Sequence, residues 1–147
     1  GLDRLQEDRV GHDEQLRAFD AHLEVAAQRR VPLVLHVVRR HGAMLERLEG
    51  SGVRGLVHAF IGPPELAERY VRLGFALGIS RRALGSSKTR AAALAFPGHL
   101  CIETDEPGPR SDLPELCAEL AEVLQRPFDV FSAELGARTQ DLYRVAT

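Results

Sequence analysis

The sequence has no tryptophan, only two cysteines in 147 residues and no large excess of charge of either sign. Two cysteines cannot form the dense disulfide framework of a small secreted protein, so we expect Cys101 and Cys117 to be buried free thiols in a reducing compartment. The formal net charge of −2, from 19 basic and 21 acidic residues, excludes a global basic field that would hold nucleic acid. It leaves only a local basic patch open.

Long hydrophobic segments are also absent. No stretch approaches the ~18 consecutive apolar residues of a membrane span, and the polar start GLDRLQEDRV lacks the apolar segment of a signal peptide. We therefore expect a cytoplasmic protein with no membrane partner. A hydrophobic content of 44% with 27% charged residues is typical of a globular chain, and the length predicts a single domain over residues 1–147.

Four short apolar runs alternate with helical patterns along most of the chain. The runs VPLVLH, RGLVHAF, GFALGIS and HLCIETD, at positions 31–36, 54–60, 74–80 and 99–105, are predicted strands. Because they are almost continuously apolar, they are typical of a parallel sheet with both faces covered. Helical patterns precede, separate and follow them, with a break near Pro127. This order predicts an α/β fold, either a small open sheet or half of an eight-stranded barrel.

Three predicted strands end on residues that bind metals. His36 ends the first run, His58 lies at or near the end of the second, and Asp105 ends the fourth. Catalytic groups of α/β proteins come from the carboxyl ends of several parallel strands. Two imidazoles and a carboxylate suit zinc, manganese or iron. Each residue also has an ordinary structural interpretation: a hydrogen-bonded histidine at a strand end, or an aspartate that caps the next helix.

Several longer segments resemble one family. PLVLH, VHAFIGPPELAERYVRLGFALGIS and CIETDEP, with GLD at the start and SKTR at 87–90, are similar to the ordered motifs of the TatD deoxyribonuclease family, metal-dependent hydrolases of the amidohydrolase superfamily. The resemblance covers essentially the whole chain and is weakest after Pro107. It implies the C-terminal portion, about strands 5 to 8, of a TIM-type (β/α)₈ barrel with a divalent metal centre at its carboxyl-terminal face.

The resemblance also implies roles for individual residues. His36, His58 and Asp105 would bind a divalent metal ion (zinc, magnesium or manganese), and Asp105 would also act as the general base for the attacking water. The substrate would be DNA or another phosphodiester. Glu103 lies two residues before Asp105 and so on the same face of the strand. It would orient a ligand or a water from the second coordination sphere, or pair with an arginine.

Arg39, Arg40 and His41 follow the first predicted strand and are candidate substrate contacts. Guanidinium groups bind phosphate oxygens through paired hydrogen bonds. The basic segments ISRR and SKTR also fall near predicted strand ends, where a local basic stripe would favour nucleic acid. A solvated helix start explains residues 39–41 equally well.

The sequence also departs from the family pattern. It contains no His-x-His pair, which the family carries on its first strand, and no glutamate before GLD. Val38 stands where an arginine is usual, Glu106 where a small residue is common, and Arg138 where an asparagine is usual. We therefore expect the remaining ligands and the first half of the barrel to come from a longer hydrolase or from a partner chain that completes the barrel.

Two other functions stay open on the sequence alone. The chain is either a degenerate α/β module without catalysis that acts in protein association, or a hydrolase of C–N or D-aminoacyl bonds that uses similar ligands. Fold-level analogy does not separate these, because substrate choice depends on loops and pockets.

Overall fold

The computed structural model describes residues 1–105 and 112–144, which form six strands and seven α-helices. The strands are β1 (Leu2–Asp3), β2 (Leu33–Leu35), β3 (Val37–Val38), β4 (Gly55–Val57), β5 (Phe75–Ile79) and β6 (Leu100–Ile102). The helices are α1 (His12–Arg29), α2 (His41–Leu48), α3 (Pro64–Arg72), α4 (Arg81–Leu84), α5 (Ser87–Ala95), α6 (Leu113–Val123) and α7 (Phe128–Leu142).

The strands form two parallel sheets. The larger has the order β2-β4-β5-β6 with every neighbouring pair parallel, and β1 pairs with β3 in a second sheet of two strands. Helices connect successive strands of the larger sheet, as parallel pairing requires. The predicted α/β fold with a parallel sheet is therefore confirmed.

The two faces of the larger sheet have different surroundings. Alternate residues, among them Leu35, Val57 and Leu77, belong to the main apolar core with the helices. On the opposite face, Leu56 and Cys101 form a smaller cluster with Leu142 of α7, and Ala76 packs against this cluster. Val34 also belongs to this second face by the alternation of the strand and is 55% exposed. The candidate site residues His36, His58 and Glu103 lie at the carboxyl end of this second face.

Local sequence signals set the helix ends. Pro64 occupies the first turn of α3, where its missing N–H costs no hydrogen bond, and Gly74 follows the helix with a φ of +82°. Pro127 precedes α7, so the predicted break in the helical tail is confirmed. Both cysteines are buried free thiols, as expected. Within residues 1–105 and 112–144, no helix has the length and apolar character needed to cross a membrane.

All four predicted strands are shorter in the structure, and β4 covers only residues 55–57 of the predicted 54–60. The first predicted strand, 31–36, is observed as β2, which ends at Leu35. His36 follows it, and the separate strand β3 lies beyond the predicted run. The fourth ends at Ile102 rather than at Asp105, so residues 103–105 lie beyond the end of β6. Glu106 and Pro107 lie outside the described residues.

Candidate metal centre

The candidate site lies where β2, β4 and β6 end. His36 follows β2 directly, His58 follows β4 directly, and Glu103 follows β6 directly. By strand alternation these residues continue the face of Val34, Leu56 and Cys101. The rings of His36 and His58 are stacked, with centroids 6.5 Å apart and planes 30° apart. The expected convergence of strand-terminal side chains is therefore observed for these two histidines.

His58 lies between two carboxylates. Its Nδ1 is 3.0 Å from Oε2 of Glu103, and its Nε2 is 3.2 Å from Oδ1 of Asp105. Glu103 is mostly buried, with 15% of its side chain exposed, whereas the side chain of Asp105 is 72% exposed. The two carboxylates therefore differ in environment, because Glu103 is largely enclosed by the protein and Asp105 faces solvent.

Several backbone features fix Glu103. Its second oxygen, Oε1, accepts a hydrogen bond from the backbone N–H of Ala59, whose φ of 46° lies in the left-handed region. Gly78 provides the space beneath the carboxylate, because a Cβ at this position would lie 2.5 Å from Oε1 of Glu103. The backbone N–H of Glu103 donates to the carbonyl of Ile79 at 3.2 Å. The carboxylate of Glu103 is thus held where it faces two donors, Nδ1 of His58 and the backbone N–H of Ala59.

The two carboxylates stabilise positive charge at His58. Burial alone lowers the pKa of His58, but the hydrogen bond and charge of Glu103, together with the charge of Asp105, outweigh it and raise the pKa. An ionised carboxylate only accepts, so the proton shared with Glu103 belongs to Nδ1 of His58. The lone pair of Nε2 then faces Asp105 unless a proton or a metal ion lies between them.

The spacing of His58 and Asp105 fits a metal ion as well as a proton. Two ligands that are each about 2.0–2.2 Å from one ion lie about 3 to 3.5 Å apart, and the Nε2 to Oδ1 distance is 3.2 Å. A carboxylate on the other ring nitrogen, as Glu103 provides, is the usual support of a metal-binding histidine. Glu103 therefore contacts the ring nitrogen of His58 that faces away from Asp105, and its second-sphere role stays a prediction.

His36 has a different partner, Asp3, which the sequence interpretation did not include. Nε2 of His36 is 2.9 Å from Oδ2 of Asp3, and the hydrogen bond from His36 lowers the pKa of Asp3. Asp3 ends the parallel strand β1, and the carboxyl ends of parallel strands are where α/β proteins place catalytic groups. Because β1 has only two residues, the sequence contains no apolar run that would have identified Asp3 as a strand-end residue.

The site consists of two separate groups of side chains in this structure. His58 pairs with Asp105 and Glu103, and His36 pairs with Asp3. Among residues 1–105 and 112–144, no three histidine, cysteine, aspartate or glutamate side chains form a group that could hold a metal ion. The three-residue ligand set of His36, His58 and Asp105 stays a prediction, and the His58–Asp105 pair is the part that fits an ion.

The candidate substrate contacts are placed at the start of α2. Arg40 directly precedes the helix and makes a two-pronged contact with the carboxylate of Glu7, and His41 begins the helix and contacts the buried hydroxyl of Tyr70 at 2.9 Å. Burial lowers the pKa of His41. Arg39 is exposed, has a φ of 54°, and makes no hydrogen bond or ion pair within the described part of the chain. Of these three candidate contacts, only Arg39 thus has a side chain that is available to bind a phosphate group.

Comparison with known proteins gives a consistent family. A family model described as TatD related DNase matches residues 1–143. The chain is 29% identical to the uncharacterized metal-dependent hydrolase YjjV of Escherichia coli, over 99% of this chain and 62% of that protein. It is 32% identical to a 3'-5' ssDNA/RNA exonuclease TatD of Pantoea, over 65% of this chain and 40% of that protein.

Solved structures share the fold. The crystal structure of E. coli YjjV superposes with a TM-score of 0.87 at 28% identity, covering 99% of this chain and 62% of that one. An uncharacterized amidohydrolase of Saccharomyces cerevisiae superposes with a TM-score of 0.82 at 13% identity, covering 97% of this chain and 63% of that one. The chain thus spans a little over 60% of the length of these proteins, which is consistent with a partial barrel.

Proposed function

Because the chain belongs to the TatD-related DNase family, we propose that it is a metal-dependent hydrolase that cleaves phosphodiester bonds of DNA. The observation that carries this proposal is the position of His58, whose two ring nitrogens each face a carboxylate at the carboxyl end of the sheet. A relative that is named a 3'-5' ssDNA/RNA exonuclease supports a nucleic-acid substrate.

His36, His58 and Asp105 are the residues that would hold the metal. Imidazole nitrogen with carboxylate oxygen suits zinc, and manganese and magnesium favour the carboxylate. A bound divalent ion supplies Lewis acidity, which stabilises negative charge on the phosphate oxygens. Glu103 keeps a proton on Nδ1 of His58 and so leaves Nε2 as the ligand atom.

Two exposed side chains would act on the substrate. Asp105 is the proposed general base, because its exposed carboxylate can accept the proton of the water that attacks phosphorus. Arg39 is the proposed phosphate contact, since its guanidinium is exposed beside the strand end that carries His36. Arg40 and His41 already have protein partners, so they would support the start of α2 rather than bind phosphate.

Replacing Asp105 with asparagine tests this function. We expect Asp105→Asn to lower the rate of cleavage of a labelled single-stranded DNA oligonucleotide in manganese by about 10²–10⁴-fold, because the amide cannot accept the proton. Asp129→Asn, which changes an exposed aspartate in the first turn of α7, is the matched control and should cleave at the wild-type rate.

The same assay separates the other functions. Cleavage by Asp105→Asn at the wild-type rate, or cleavage that persists after chelation of the metal, would contradict the proposal. A wild-type chain that leaves DNA intact but hydrolyses an N-acyl-D-amino acid in a metal-dependent way would identify a C–N hydrolase instead. A chain that binds no metal and hydrolyses neither substrate would favour the association module.

A further inference from the structure

The carboxylate of Asp3 is placed by the pairing of β1 with β3. Asp3 lies opposite Val38 in this pairing, and the backbone N–H of Leu2 donates to the carbonyl of His36 at 2.9 Å. The approach is so close that a Cβ at Gly1 would lie 2.5 Å from the carbonyl oxygen of His36. The strand pairing therefore fixes the start of the chain against the backbone of His36.

A buried glutamine holds the backbone of Asp3. Gln15 of α1 is 8% exposed, and its Oε1 accepts from the N–H of Asp3 at 2.7 Å. Its Nε2 donates to the carbonyl of Asp3 at 3.0 Å and to the carbonyl of Val10 at 2.9 Å. Both backbone polar groups of Asp3 are thus bound to one side chain that is mostly buried in the protein.

The two carboxylate oxygens of Asp3 have different partners. Oδ1 accepts from the backbone N–H of Leu5 at 2.8 Å, which caps the short 3₁₀ turn that follows. Oδ2 is 2.9 Å from Nε2 of His36. Since the cap fixes one oxygen and Gln15 fixes the backbone, the other oxygen is aimed at a single ring nitrogen.

From this arrangement we propose that Asp3 is a positioning residue for His36. As an acceptor, its carboxylate keeps the proton of His36 on Nε2 and leaves the lone pair on Nδ1. His58 differs from His36, because it has a carboxylate at each ring nitrogen, Glu103 at Nδ1 and Asp105 at Nε2. His36 thus presents Nδ1 as its ligand atom. The statement about the ligand atom rests on the proposed metal-dependent function, whereas the statement about the tautomer does not.

The tautomer is measured directly on the metal-free chain. Two-bond ¹H–¹⁵N correlation spectra of ¹⁵N-histidine-labelled protein near pH 8, which is about 1.5 units above the ordinary imidazole pKa, report which ring nitrogen carries the proton. We expect the Nε2–H form for His36. In Asp3→Asn, Oδ1 keeps the cap of Leu5 and the new amide donates to Nε2, so His36 should change to the Nδ1–H form. The spectrum of His58 should stay the same.

Zinc titration by calorimetry tests the consequence for metal binding. Asp3→Asn should weaken zinc binding by about 10–100-fold, as the loss of a second-sphere partner typically does. Asp13→Asn, which changes an exposed aspartate in the first turn of α1, should bind zinc as the wild type does.

An Nδ1–H form of His36 in the wild-type chain overturns the proposal without any variant. A tautomer change with unaltered zinc affinity overturns the ligand-atom assignment alone, and a wild-type chain with the expected tautomer and no zinc binding contradicts the proposed function instead.

Discussion

Replacing Glu103 with glutamine is expected to weaken zinc binding by about 10–100-fold while the chain stays folded. The carboxylate serves two donors, Nδ1 of His58 and the backbone N–H of Ala59, and so needs two acceptor oxygens. A glutamine has the same shape but only one oxygen, and its amide group would face one of the donors. The simplest relief is a proton shift of His58 to Nε2, which removes the lone pair that would bind the metal.

The measurement is isothermal titration of the chain with zinc. Glu65→Gln, on the exposed side of α3, is a matched control that changes the same group without touching the site. Thermal unfolding of both variants shows whether the fold is kept. If Glu103→Gln binds zinc as tightly as the wild type in a folded chain, the orienting role of Glu103 is wrong.

Replacing Gly55 with alanine should have the largest effect on stability, a loss of about 3 kcal/mol or more in the free energy of unfolding. Gly55 pairs with Leu33 between β2 and β4, and a Cβ at this position would overlap the carbonyl oxygen of Leu33. The obstacle is the backbone of the paired strand β2, so a side-chain rotation cannot relieve it. The two strands would have to separate, and His36 and His58 at their ends would separate with them.

Urea unfolding followed by circular dichroism measures this loss. Gly136→Ala is the matched control, because nothing lies within 4 Å of a Cβ there and the residue is inside α7. In a helix interior the same exchange should stabilise by about 0.5–1 kcal/mol. Equal stability of Gly55→Ala and the wild type would contradict the close pairing of β2 and β4.

The larger sheet was predictable because its strands are buried on the core side. Continuous apolar runs identified β2, β4, β5 and β6, and the helical patterns between them fixed parallel pairing. The strands β1 and β3 have two residues each and exist through their pairing with one another. Such short strands leave no periodicity in the sequence. The sequence therefore predicts neither the break between β2 and β3 at His36 nor the position of Asp3.

The site was predictable where it depends on strand ends and not where it depends on distant partners. His58 and Glu103 meet across β5, because the parallel strands β4 and β6 end at the same edge of the sheet. The partners of Arg40 and His41 are Glu7 and Tyr70, which lie 33 and 29 residues away in the chain. Contacts of this kind depend on how helices pack, and a single sequence gives no signal for them.

The most direct test of the central claim, that His58 and Asp105 hold a divalent metal, is the metal content of the purified 147-residue chain. The wild type and Asp105→Ala are dialysed in parallel against the same trace zinc, and the metal content of each is measured by mass spectrometry. The account predicts near-stoichiometric zinc in the wild type and its loss in Asp105→Ala. A wild-type chain without zinc, or an equal zinc content in the two proteins, would contradict it.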